Sequence, residues 1–137
     1  MAAISITAAN VVPSADASIV HGKKALSTIT AGQPLYKTAA GLMAPADANG
    51  ASPLYVVEGI ACNGAAAGQP VSYVTDDPAL QIAASGLTPG DTLILGATPG
   101  DICPDTDCVT GWFKTILGVV RTTTTIVLRL TAVGVAK

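Results

Sequence analysis

Few residues in this 137-residue chain are able to do chemistry. His21 is the sole imidazole, and it stands beside Gly22 and ahead of Lys23 and Lys24. That is the setting of a solvated turn residue more than of a general base. Carboxylates come close together only at Asp76-Asp77 and Asp105-x-Asp107, each next to a proline. Turn formation and capping account for them better than general acid–base work does. One histidine leaves a single way to build a Ser/His/Asp or Cys/His arrangement, and spacing in sequence does not decide whether its partners meet. The Gly64 to Gly68 stretch lacks the Lys-Ser/Thr of a phosphate loop, and no strand–GxGxxG–helix unit occurs. No catalytic residue and no cofactor-binding residue is assigned.

Cys62, Cys103 and Cys108 are too few and too odd in number for a disulfide framework. Four residues separate the thiols of Cys-Pro-Asp-Thr-Asp-Cys, and only Cys62 and His21 remain to complete a zinc site. Half-buried thiols in a protein assembled inside a cell are the favoured reading, with a Cys103–Cys108 disulfide and a metal site as alternatives.

The elements that would position these residues are strands. Half the residues are apolar, while 12% are charged and 4% aromatic, against roughly a quarter charged in an ordinary soluble domain. Solubility usually leans on surface charge, so another protein is expected to cover part of the outside. The net charge is −2, and the basic residues are scattered singly apart from Lys23-Lys24. There is no stripe for a phosphate backbone, which argues against nucleic acid. The charge-free stretch between Glu58 and Asp76 is broken by Asn63, glycines, Gln69 and Pro70, so no membrane helix fits there. The N-terminal MAAISITAANVV carries no basic residue and alternates Ile4 and Ile6 with Ser5 and Thr7, as a strand does and a secretory signal does not.

The organising stretch is Gly59 to Val74. Val56, Val57, Ile60 and Ala61 form a buried strand, Asn63-Gly64 a turn tolerant of positive φ, and Val71, Tyr73 and Val74 the return. Its strand-opening grammar, a small residue, then Gly, then a polar residue before an apolar run, occurs also at Thr30 to Tyr36 and Pro89 to Leu95. Residues 1–17 read as an extended arm anchored by Ile4, Ile6, Val11 and Val12, either disordered, laid on a neighbouring subunit's sheet edge, or a strand of its own barrel. His21-Gly22-Lys23 and Asp76-Asp77-Pro78 read as turns, Thr38 to Pro53 as a surface loop with a helical turn at Pro45 to Ala48, and Asp105 to Val109 as a second helical turn. The Thr122 to Thr125 run is β-branched and therefore predicts stiff, extended backbone. Ile126, Leu128 and Leu130 alternate with Val127, Arg129 and Thr131 as a half-buried strand. The whole is an all-β chain, a small barrel or sandwich of about ten short strands with long loops, with residues 18–137 as one domain. Trp112-Phe113 is its one adjacent aromatic pair and is either a core anchor or an interface anchor.

The ordered set GKKALSTITAGQPLYKTAAGLMAPADA, VVEGIACNGAAAGQPVSYV, GLTPGDTLILGATPGDICPDTD and LGVVRTTTTIVLRLTAVGVA resembles the small head-decoration, or cement, proteins of tailed bacteriophages from about Gly22 onward. Val119-Val120 stands where that pattern has Val-Ala, and the cysteines are not part of it. The resemblance implies a compact β-barrel, commonly a homotrimer, made in the host cytoplasm and seated on the virion exterior. There it would clamp major capsid protein subunits against internal pressure without a catalytic residue, cofactor or metal. Ile4, Ile6, Val11, Val12, Trp112 and Phe113 are the candidate capsid or subunit contacts. A surface- or carbohydrate-binding β module of a tail fibre or spike is the alternative, and it requires an exposed aromatic platform from Trp112, Tyr36, Tyr55 and Tyr73. A biotinyl- or lipoyl-type carrier would need a lysine at a hairpin tip, which Gly41-Leu42-Met43-Ala44 lacks.

Overall fold

The computed structural model describes residues 11–48, 56–82, 87–96, 100, 102–104 and 113–136. They form nine strands and no helix: β1 (Ser18–Lys24), β2 (Pro34–Lys37), β3 (Met43–Pro45), β4 (Gly59–Ala61), β5 (Pro70–Gln81), β6 (Thr92–Leu95), β7 (Ile102–Pro104), β8 (Phe113–Val120) and β9 (Thr125–Ala136). All belong to one curled sheet of order β3-β2-β4-β5-β9-β8-β6-β7, with β1 added to β5. Every strand pairing is antiparallel. The all-β class follows the sequence, although β5 and β9 are not short, at 12 residues each.

The repeated strand-opening grammar is one physical device used three times. Gly32, Gly68 and Gly90 sit at φ 94°, 84° and 94°, as the third position of a type II turn demands. Each turn is closed by a backbone bond, Gln33 N to Thr30 O, Gln69 N to Ala66 O and Asp91 N to Thr88 O. The two glutamines add a second clasp, since Oε1 of Gln33 accepts from Thr30 N at 2.9 Å and that of Gln69 from Ala66 N at 2.8 Å. Each glycine N–H also donates to a neighbouring segment, to Ala61, Ala25 and Val120 respectively. The positive φ of the central hairpin therefore falls at Gly68 and not at Asn63-Gly64. Asn63 instead accepts from Ser72 N through its side chain at 2.8 Å.

β5 is the hub. Val74 pairs with both Ile19 and Ile60, and Asp76 with both Ser18 and Arg129, so β4 and β9 lie end to end on one side of β5 and β1 lies on the other. Because successive side chains point to opposite faces, Val71 and Tyr73 enter a cluster with Ala25, Ile29, Leu35, Met43, Ala61 and Ala65. Val74 and Leu80 enter the main core with Ile60, Leu93, Leu95, Leu117, Ile126 and Leu128. The sheet closes at both ends. Ala25 bridges Met43, returning the end of β1 to β3, while Ala48 N donates to Gly96 O and Gly100 N to Ala46 O, tying the segment after β3 to the β6–β7 hairpin.

Several local expectations give way to this closure. The ladder of β1 slips at His21-Gly22 and does not turn there. Asp76-Asp77-Pro78 lies inside β5, with a bulge between Asp77 and Leu80 absorbing the proline. Residues 38–42 are a surface turn as expected, but 43–48 are no surface loop and hold no helical turn at Pro45, since Met43, Ala46 and Ala48 are fully buried and Met43–Pro45 is strand. Val56 and Val57 precede the strand, which begins at Gly59. Thr122 to Thr124 bend between β8 and β9, because the Thr122 hydroxyl accepts from the N–H groups of Thr124 and Thr125 and so builds a local turn. Asp105 to Val109 lies outside the described residues.

Candidate functional site

The structure brings His21 to Ser72 across the β1–β5 ladder, with Nδ1 and Oγ 2.8 Å apart. This exposed pair has the atoms of a base and a nucleophile, but its further link runs from Ser72 N to the Asn63 side chain. Among the described residues no carboxylate bonds the ring, and none is placed to orient it. The pair staples β1 to the 63–72 hairpin. Among the described residues no three His, Cys, Asp or Glu side chains gather as a metal site would require.

The other polar cluster is half-buried around a fully buried carboxylate. Asp77 has no solvent exposure, and its carboxylate accepts from Ser14 N at 2.8 Å, from Ala79 N at 2.9 Å and from the Ser14 hydroxyl. Beside it, Val12 and Gln81 exchange two backbone bonds of 2.9 and 3.0 Å. Residues 11–17 of the arm are thus fastened to this chain's own β5. Sequence reasoning missed this clasp, because an Asp-Pro step signals a turn and nothing local announces a partner 63 residues away. Burial first, and then the Asp77 charge, push the Cys62 thiol up to about 11. The thiol is therefore neutral at pH 8, and alkylation of the Cys62 peptide is expected to be slow there in the folded protein and fast in denaturant. Since folding raises this pKa from 9.0, the unfolded chain loses the proton first, and stability is expected to fall as pH rises from about 9 to about 11. A pH-independent denaturant midpoint over that window would contradict it.

Of the residues expected at an interface, Val11 is buried in the main core while Val12 stands 50% exposed. Phe113 opens β8 opposite Ala136, and Ile4, Ile6 and Trp112 lie outside the described residues. The apolar surface that does emerge was not singled out in the sequence. Ile116, Gly118, Val119, Val127 and Arg129 line an open hollow of about 370 Å³ on β8 and β9, with Val119 43% exposed. Ile19, Leu26 and Val56 add further exposed apolar side chains. Tyr73 is buried, burial and then Glu58 raising its phenol pKa, and Tyr36 packs against the main core. Neither serves as an exposed aromatic platform.

No family model, curated protein or solved structure matches the chain.

Proposed function

We propose that this chain is a structural virion protein that binds the outer surface of a bacteriophage capsid and stabilises contacts between major capsid protein subunits. It runs no reaction and uses no cofactor or metal. The observation that carries this is exposed apolar surface on a chain poor in charge: the β8–β9 hollow and the exposed Val12, Leu26 and Val119 on a chain with 12% charged residues. Such surface marks a contact with another protein. The ordered resemblance to head-decoration proteins supplies the identity of that partner. A homotrimer covers one apolar face with a second copy and leaves another for the shell, and engaging several subunits at once lets each contact be modest. The virion exterior is its place of action, and the host cytoplasm its place of synthesis.

The purified protein is expected to co-sediment with empty capsids of its source phage at a saturable stoichiometry. Its remaining in the supernatant at every concentration would remove the proposal. Deleting residues 1–10 keeps the Val12–Gln81 pair and the Asp77 clasp, so the truncated chain is expected to fold. If the arm contributes contacts, its capsid occupancy falls, and full occupancy would take the arm out of the interface.

A further inference from the structure

We propose that the end of the molecule around Leu26 is the face seated on the capsid, and that it fits an acidic protein surface with an apolar seat at its centre. This rests on the capsid-binding reading and names the face and the partner chemistry that the reading leaves open.

Charge is uneven along the β1–β5 ladder. At one end it is mixed: Asp76 lies between Ser18 and Arg129, Arg121 reaches Pro78 O, and Asp16 is exposed while Asp77 is buried. At the other, Lys23 lies opposite Val71 and Lys24 opposite Pro70, with no acid among the partners. Ala25 next bridges Met43, and the other neighbour of Met43 is Lys37. Two strand spacings, about 10 Å of backbone, therefore separate Ala25 from Lys37. The centre of this group is Leu26, whose N–H donates to Met43 O at 2.7 Å and whose side chain is 47% exposed. Exposed His21 lies on the same strand. The nearest carboxylate in the register, Glu58, lies beside Leu35 and acts on Tyr73.

A leucine with lysines before it at the end of β1 and across Met43 has the anatomy of a contact patch, an apolar anchor within a polar rim. Rim lysines raise the encounter rate with an acidic surface and make binding salt-dependent. A nucleic acid fits less well. Three lysines fall short of the roughly six to ten phosphate contacts that strong backbone binding uses, and an apolar anchor has no role there.

The test is sedimentation with empty capsids at low and at physiological salt. It compares the parent, the triple variant Lys23→Glu/Lys24→Glu/Lys37→Glu, Leu26→Ala, and Arg121→Glu as a charge reversal at the distant β8–β9 bend. Thermal unfolding confirms that each variant is folded, as substitutions of exposed or half-buried surface side chains should be. The triple variant is expected to bind about tenfold more weakly at physiological salt and to lose the salt dependence of the parent. Leu26→Ala is expected to dissociate several-fold faster, and Arg121→Glu to match the parent. Equal binding by parent and triple variant overturns the assignment of this face while leaving the capsid reading intact. Capture of a duplex DNA probe by the parent and not by the triple variant overturns the protein-partner chemistry. Failure of the parent to bind capsids removes the capsid reading itself, and this inference with it.

Discussion

Gly118→Ala is expected to be the most damaging single-methyl change described here, lowering the unfolding free energy by about 3 kcal/mol, the upper part of the overpacking range. Gly118 is the register partner of Leu93 on one side and Leu128 on the other, so it is held between two strands. A Cβ placed there would lie 1.9 Å from Val127 O and 2.9 Å from the carbonyl carbon. These are backbone atoms, so no side-chain rotation relieves the clash. Either β8 and β9 move apart, opening the main core at Leu117 and Leu128, or the hairpin shifts register. The thermal midpoint should drop by about 10 °C for a chain of this size. Gly59→Ala meets Tyr73 Cδ2 and Val74 O, both at 2.5 Å, and is expected to cost somewhat less because one of those atoms belongs to a side chain. A midpoint for Gly118→Ala within about 2 °C of the parent would contradict so close an approach of β8 and β9 at Gly118.

Asp77→Ala is the second large effect, and it differs in kind. It leaves the Ser14 N–H, the Ser14 hydroxyl and the Ala79 N–H, all half-buried, without their fully buried acceptor. An orphaned buried donor costs about 1–3 kcal/mol, and relaxation of residues 11–17 into solvent relieves part of the sum, so a loss of about 3 kcal/mol is expected. Asp77→Asn keeps the shape and one acceptor and should lose about 1–2 kcal/mol. The discriminating readout is amide hydrogen exchange. Protection at Val12 and Gln81, whose paired bonds lie beside the clasp, should collapse in Asp77→Ala while the β8–β9 amides stay slow. Unchanged protection at Val12 would show that the backbone pair alone holds the arm segment.

What the sequence made legible was local. The openings at Gly32, Gly68 and Gly90 could be read because a small residue, a glycine and a polar residue specify a type II turn without outside help. The alternation of Ile126, Leu128 and Arg129 could be read because one face of β9 is buried and the other wet. Where distant partners decide, the signal was absent or misleading. Asp76-Asp77-Pro78 has turn composition, yet Ser14 and β9 hold it in a bulged strand. Met43 to Ala48 has no periodicity, yet Lys37, Ala25 and the β6–β7 hairpin draw it into the sheet. The threonine run has strand propensity, yet hydroxyls that bond their own backbone turned Thr122 to Thr124 into a bend. The candidate surfaces followed the same rule. Val119 and Val127 form a hollow only because Gly118 lets the two strands close, and Leu26 comes onto the same side of the sheet closure as Lys37 only because both neighbour Met43.

The most direct measurement of the proposed role is the heat stability of empty capsids, followed by light scattering as the shells come apart, with and without saturating amounts of this protein. Shells carrying it should disassemble at a clearly higher temperature, and the gain should level off once the binding sites are full. Identical disassembly curves at saturating protein would contradict a capsid-stabilising function.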